Sequence, residues 1–121
     1  MNVFKDQEKF MKACGQTTDQ FNENQFKLYV KLIEEECREL AVAIENNDKV
    51  EILDALEDIM VVTAGAIHSA GFDGEGGWKE VMRSNFSKVG KDGKVRKRDD
   101  GKILKPLTYS PPDLAPFVKR E

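Results

Sequence analysis

Cysteine is scarce in this sequence: Cys14 and Cys37 are the only two. Two thiols make no disulfide framework, so a reduced, cytoplasmic protein is expected. No apolar run approaches the roughly 20 residues of a membrane-spanning helix. The first residues, Met1-Asn2-Val3-Phe4-Lys5-Asp6, lack the apolar stretch of a signal peptide. Internal repeats and low-complexity tracts are absent as well. What remains is a chain of ordinary hydrophobic content and high charge, the composition of a soluble globular protein. Its 121 residues suit one domain, 1–121, with a helical core over about 1–87 and a basic hairpin and tail over about 88–121.

Against this background two acidic runs stand out: Glu35-Glu36-Cys37-Arg38-Glu39-Leu40 and Asp54-Ala55-Leu56-Glu57-Asp58. An α-helix turns about 100° per residue, so with Glu35 at zero, Glu39 lies at about 40° and Glu36 at about 100°. Leu28, Leu32 and Ala43 fall at about 20°, 60° and 80° on the same wheel, which puts three acids on the core-facing arc. Glu34 points away, at about 260°. In the second run, with Asp54 at zero, Asp58 falls at about 40°, Glu51 at about 60° and Val62 at about 80°. The rest of that helix is apolar nearly all round, through Ile52, Leu53, Leu56, Ile59, Met60 and Val61, which predicts a buried helix. Ionised carboxylates are seldom buried unless paired or bound to a metal. Lys and Arg are too few on these faces to pair them all, so a divalent cation is the economical reading. A solvated Glu-rich face, or a subunit interface with salt bridges through Arg38, is the plainer alternative.

The spacing predicts helices over 2–14, about 22–46, about 48–70 and 75–86. Gly15, Asn46-Asn47-Asp48 and Gly71 punctuate them. The second and third must form an antiparallel hairpin, with Glu35, Glu36 and Glu39 facing Asp54 and Asp58. Gly65, at nearly the angle of Asp58, leaves room for a ligand or another helix. Beyond Ser87 the pattern changes. Lys91-Asp92-Gly93-Lys94 and Asp99-Asp100-Gly101-Lys102 are turn signals that predict a small β-hairpin. An extended Pro111-Pro112-Asp113-Leu114-Ala115-Pro116-Phe117 docks by Leu114 and Phe117. From Lys88 to Lys105 eight cations face three carboxylates, a net +5, while the whole chain carries −3. A basic segment beside an acidic core suits a polyphosphate substrate, and equally a weak nucleic-acid contact.

Several single residues carry weaker signals. Asn85 and Lys88, three apart, would share a face and could hold phosphate oxygens, or could simply be solvated. His68 lies about 80° from Asp58 around its helix and reads as a partly buried or helix-end residue rather than a ligand. Trp78 reads as core more readily than as a base-stacking platform. Cys37 reads as packing. Gln16, Thr17 and Thr18 make a polar loop with a conceivable part in base recognition.

The run Leu32-Ile33-Glu34-Glu35-Glu36-Cys37-Arg38-Glu39-Leu40, followed by Asp54-Ala55-Leu56-Glu57-Asp58, resembles the two metal-binding helices of the MazG-like all-α nucleoside triphosphate pyrophosphohydrolases. Val62-Thr63-Ala64-Gly65, Ala70-Gly71-Phe72-Asp73 and Val81-Met82-Arg83-Ser84-Asn85-Phe86-Ser87-Lys88 are similar to its phosphoribosyl-ATP pyrophosphohydrolase-like branch. So are Asp100-Gly101-Lys102-Ile103-Leu104-Lys105-Pro106 and Pro111-Pro112-Asp113-Leu114. The resemblance implies an all-α, four-helix, bundle-like fold in a homo-oligomer, dimer or tetramer. It implies hydrolysis of a (deoxy)nucleoside triphosphate to monophosphate and pyrophosphate with Mg²⁺ or Mn²⁺. Glu35, Glu36, Glu39 and Asp58 would hold the metals, Glu35 or Glu36 would take a proton from water, and Asn85 and Lys88 would contact phosphates. The family's second motif carries Glu three residues before its final Asp, where this chain has Ala55. Asp54 takes that place, or Glu51 and Asp54 together satisfy the spacing. Phosphoribosyl-ATP or a nucleoside diphosphate as substrate, and a non-enzymatic helical oligomer that binds a partner, are the alternatives. Neither a membrane nor a specific nucleic-acid partner is expected.

Overall fold

The computed structural model describes residues 1–118. Four helices follow in order: α1 (Val3–Ala13), α2 (Glu23–Glu45), α3 (Lys49–Ser69) and α4 (Gly74–Phe86), with a 3-10 turn at Ala115–Phe117. Each helix starts where a short polar side chain can satisfy a free backbone N–H. Asn2 accepts from Lys5 N at 2.8 Å, Asn22 from Gln25 N at 3.1 Å, Asp48 from Glu51 N at 3.2 Å and Asp73 from Gly76 N at 3.0 Å. The helices end as the sequence predicts. Asn47 turns the chain between α2 and α3 with a positive φ of 50°, and Gly71 closes α3 with φ 74°.

The connection between α2 and α3 is only Asn46-Asn47-Asp48, so the two helices pack antiparallel and make the most extensive helix contact of the molecule. α1 lies against α3, and α4 touches α3 only lightly. The core is Met11, Tyr29, Val62 and Ala66, flanked by Phe26, Leu32 and Ile33. Tyr29 of α2 lies against Gly65 so closely that a Cβ there would collide with its ring. The room beside Gly65 is therefore filled by the neighbouring helix. The Tyr29 hydroxyl donates to Gln16 Oε1 at 2.6 Å, and Gln25 holds Thr17 through Thr17 N (3.0 Å) and Thr17 O (2.7 Å). That polar loop thus serves to bind α1 to α2.

Four expectations need correction. Among the described residues there is no strand: the basic segment holds a single isolated bridge, Lys97 to Ile103. Its turn at Asp99–Lys102 is closed by Gly101 N to Arg98 O, 2.9 Å, and flanked by Arg98 N to Lys102 O (2.8 Å) and Leu104 N to Arg96 O (2.7 Å), but the pairing goes no further and no strand forms. α3 is not buried all round: α2 and α1 cover part of it, while Leu53, Leu56, Met60 and Val61 are exposed. Trp78 is 58% exposed, so it is not a core residue. Cys37 is exposed too, not packed within the chain.

The tail docks by Phe117 and Leu114, as expected, onto the small residues Gly76 and Gly77 of α4, with polar clasps beside them. Phe117 covers Gly76, where a Cβ would meet its ring at 2.6 Å, and its carbonyl accepts from Asp73 N at 2.8 Å. Glu80 accepts from Asp113 N at 2.8 Å and pairs with Arg83, which reaches Pro111 O at 3.2 Å. Those donors hold the Glu80 carboxyl well below its usual range, at about 2, with the Arg83 hydrogen bonds the main cause. No helix among the described residues is long and apolar enough to cross a membrane.

Candidate active site

The α2–α3 hairpin brings the two acidic runs together. Glu36 and Glu39 stand on successive turns of α2, Asp54 and Asp58 on successive turns of α3, and the charges act on one another. Glu36 is pushed up from an ordinary 4.5 to about 7, first by burial, then by a hydrogen bond shared with Glu39 and by the charges of Glu39, Asp58 and Asp54. Asp58 is raised as well, by burial and then by Asp54 and Glu39. Crowded carboxylates keep a proton because each ionisation meets those already present. Glu36 Oε2 is buried and meets no donor. An ionised oxygen there is costly unless a proton or a cation offsets it.

Glu35 lies one turn before Glu39 on the same face of α2. With Arg38, Glu39, Asp48 and Glu51 it lines an open groove of about 570 Å³ running to the α2–α3 turn. Glu39 therefore belongs to both arrangements. The structure also separates the two acids that spacing alone could not. Asp54 acts on Glu36 and Asp58, whereas Glu51 lies with Glu35 in the groove. Ala55 is 4% exposed, so the helix packing leaves a long acid no place at that position.

As arranged, no three metal-ligating side chains among the described residues form a finished cluster. The fit to a cation rests on the donors present. All are carboxylate oxygens, the set a hard cation such as Mg²⁺ or Mn²⁺ prefers, and one of them, Glu36 Oε2, is buried without a partner.

Asn85 and Lys88 do come together: Lys88 Nζ donates to Asn85 Oδ1 at 3.2 Å, just past the end of α4. Among the described residues no hydrogen bond or ion pair ties them to Glu36, Glu39, Asp54 or Asp58. His68 plays a structural part. It is buried, its Nε2 lies 2.8 Å from Phe4 O, and its ring meets the Phe4 ring edge-on. That contact joins the start of α1 to the end of α3.

The sequence model of one family matches residues 4–85, a span holding both acidic runs and Asn85. The chain belongs to the phosphoribosyl-ATP pyrophosphohydrolase family. Membership bears out the superfamily and the pyrophosphohydrolase class read from Glu35-Glu36-Cys37-Arg38-Glu39 and Asp54–Asp58. Among curated proteins no match to the chain is found. The family match ends at Asn85, so Lys88 and the basic segment beyond it lie outside. Sequence reasoning singled out neither Tyr109 nor its pairing with Lys88 and Lys105. No local pattern could have shown it, because the partners meet only through the path of the loop.

Proposed function

We propose that the protein is a metal-dependent nucleotide pyrophosphohydrolase, cleaving a (deoxy)nucleoside triphosphate between its α and β phosphates to a monophosphate and pyrophosphate. The observation that carries this reading is the carboxylate group Glu36, Glu39, Asp54 and Asp58, crowded enough to hold Glu36 near 7 and leaving its Oε2 buried without a donor. Crowding of this kind destabilises the chain by itself and becomes useful when positive charge arrives. Glu35, Glu36, Glu39, Asp54 and Asp58 would hold Mg²⁺ or Mn²⁺, which when bound neutralises the phosphates and acidifies the attacking water. A carboxylate not fully used by metal, Glu35 or Glu36, would take the proton as that water attacks phosphorus. Pyrophosphate leaves with the bridging oxygen. Asn85 and Lys88 would bind phosphate oxygens as an amide donor and a point charge.

Phosphoribosyl-ATP is a second substrate reading, favoured by the family's own description. The test is a panel of nucleoside and deoxynucleoside triphosphates together with phosphoribosyl-ATP, each with and without Mg²⁺, with the products identified. Metal-dependent pyrophosphate release is expected, lost by at least 100-fold in Glu39→Gln while the helical circular-dichroism signal persists (on the order of a lost charge contact in the transition state). Full turnover in Glu39→Gln would sink the assignment.

A further inference from the structure

Beyond α4 the chain makes a closed loop whose base is held at Ser87. Ser87 Oγ accepts from Ser110 N at 2.8 Å, and Thr108 Oγ1 donates to Ser87 O at 3.0 Å. The closure brings Lys105 and Lys88 to one ring, that of Tyr109. Their ammonium groups lie 4.9 and 5.8 Å from its centroid. Lys88 also donates to Asn85 Oδ1, while Asn85 Nδ2 has only a 3.8 Å contact with the weak acceptor Met82 Sδ. Among the described residues, the only one of the eight cations from Lys88 to Lys105 with an ion pair is Arg98, to Asp100. Two ammonium groups are thus held at one aromatic ring, and neither makes an ion pair among the described residues. The ring attracts both cations without neutralising them, and a multiply charged anion can accept from both.

We propose that Lys105 is a second phosphate-binding cation, which with Lys88 and the Asn85 amide forms a cradle for a polyphosphate chain, and that Tyr109 is the positioning residue holding both lysines. The cradle lies at the base of the loop, and sixteen residues of sequence lie between its two cations. It rests on the triphosphate reading given above, which it deepens by naming how the leaving pyrophosphate is gripped.

The test uses the full chain and inorganic tripolyphosphate without metal, followed by calorimetric titration, so that binding is read apart from turnover. Lys105→Gln should weaken tripolyphosphate binding about tenfold and raise KM for a triphosphate by a similar factor, with kcat little changed. Lys94→Gln removes the same charge from the same loop away from the ring, and should change neither. Tyr109→Leu should lose affinity as Lys105→Gln does, and Tyr109→Phe, which keeps the ring, should restore it. Unchanged affinity in Lys105→Gln, or an equal loss in Lys94→Gln, overturns the cradle. Failure of Tyr109→Phe to restore binding overturns the part given to the ring. Tripolyphosphate binding through Lys105 without turnover of any nucleotide would leave the cradle standing and remove the hydrolase reading. Turnover with binding indifferent to Lys105 would do the reverse.

Discussion

A carboxyl group that keeps its proton to about pH 7 reveals a local excess of negative charge, and at Glu36 the sources are burial, Glu39, Asp58 and Asp54. The sign of its effect on stability follows from linkage. The folded chain holds a proton on Glu36 that the unfolded chain, with its ordinary value of 4.5, has already released. Between about pH 4.5 and 7 this group therefore makes the metal-free protein less stable as pH rises, and above 7 the loss is complete. Melting temperatures across that window, in metal-free buffer, should fall more steeply for wild type than for Glu36→Gln, which cannot ionise. Parallel curves would show that the carboxylates do not crowd one another in solution.

At the scale of the element, the site depends on how α2 and α3 meet. The contact is set by Tyr29 lying on Gly65, with the Tyr29 hydroxyl tied to Gln16. A methyl group at position 65 has no space, so the ring must move or the helices must part. Gly65→Ala gains helix propensity but overpacks, and a net destabilisation of roughly 1–3 kcal/mol is expected from a denaturant midpoint. Because Asp54 and Asp58 ride on the same helix, turnover should fall with it. A variant as stable and active as wild type would mean that the α2–α3 spacing is soft.

At the scale of the whole molecule, the fully buried apolar side chains are few and several are alanines. Larger ones face outward: Leu53, Leu56 and Met60 on α3, Val42 and Ile44 on α2, and Phe10 on α1. Apolar side chains repeated along adjacent helices mark a surface made to be covered, and we propose that a second copy of this chain covers it. Sedimentation equilibrium at micromolar concentration should give a dimer or tetramer. Leu53→Glu combined with Met60→Glu should shift the mass towards the monomer and lower the melting temperature. A monomer in the wild type would refute the assembly.

Helix positions were legible in the sequence because their signals are local. Asn2, Asn22, Asp48 and Asp73 cap, Asn47 and Gly71 turn, and a three-residue connection leaves α2 and α3 no arrangement but antiparallel. The facing of the two acidic runs follows from helical phase and the short connection, and the family from the resemblance of the motifs. The β-hairpin was overread because turn residues fix the turn, which does form, but not how far backbone pairing extends beyond it. The all-round burial of α3 was misread because an apolar surface states a need for cover without saying which chain supplies it. Only the tertiary structure brings the charge of Asp54 to bear on Glu36 and puts Glu51 in the groove with Glu35 and Glu39. It alone brought Lys105 and Lys88 to Tyr109, since the closure of a loop depends on contacts between residues far apart in sequence.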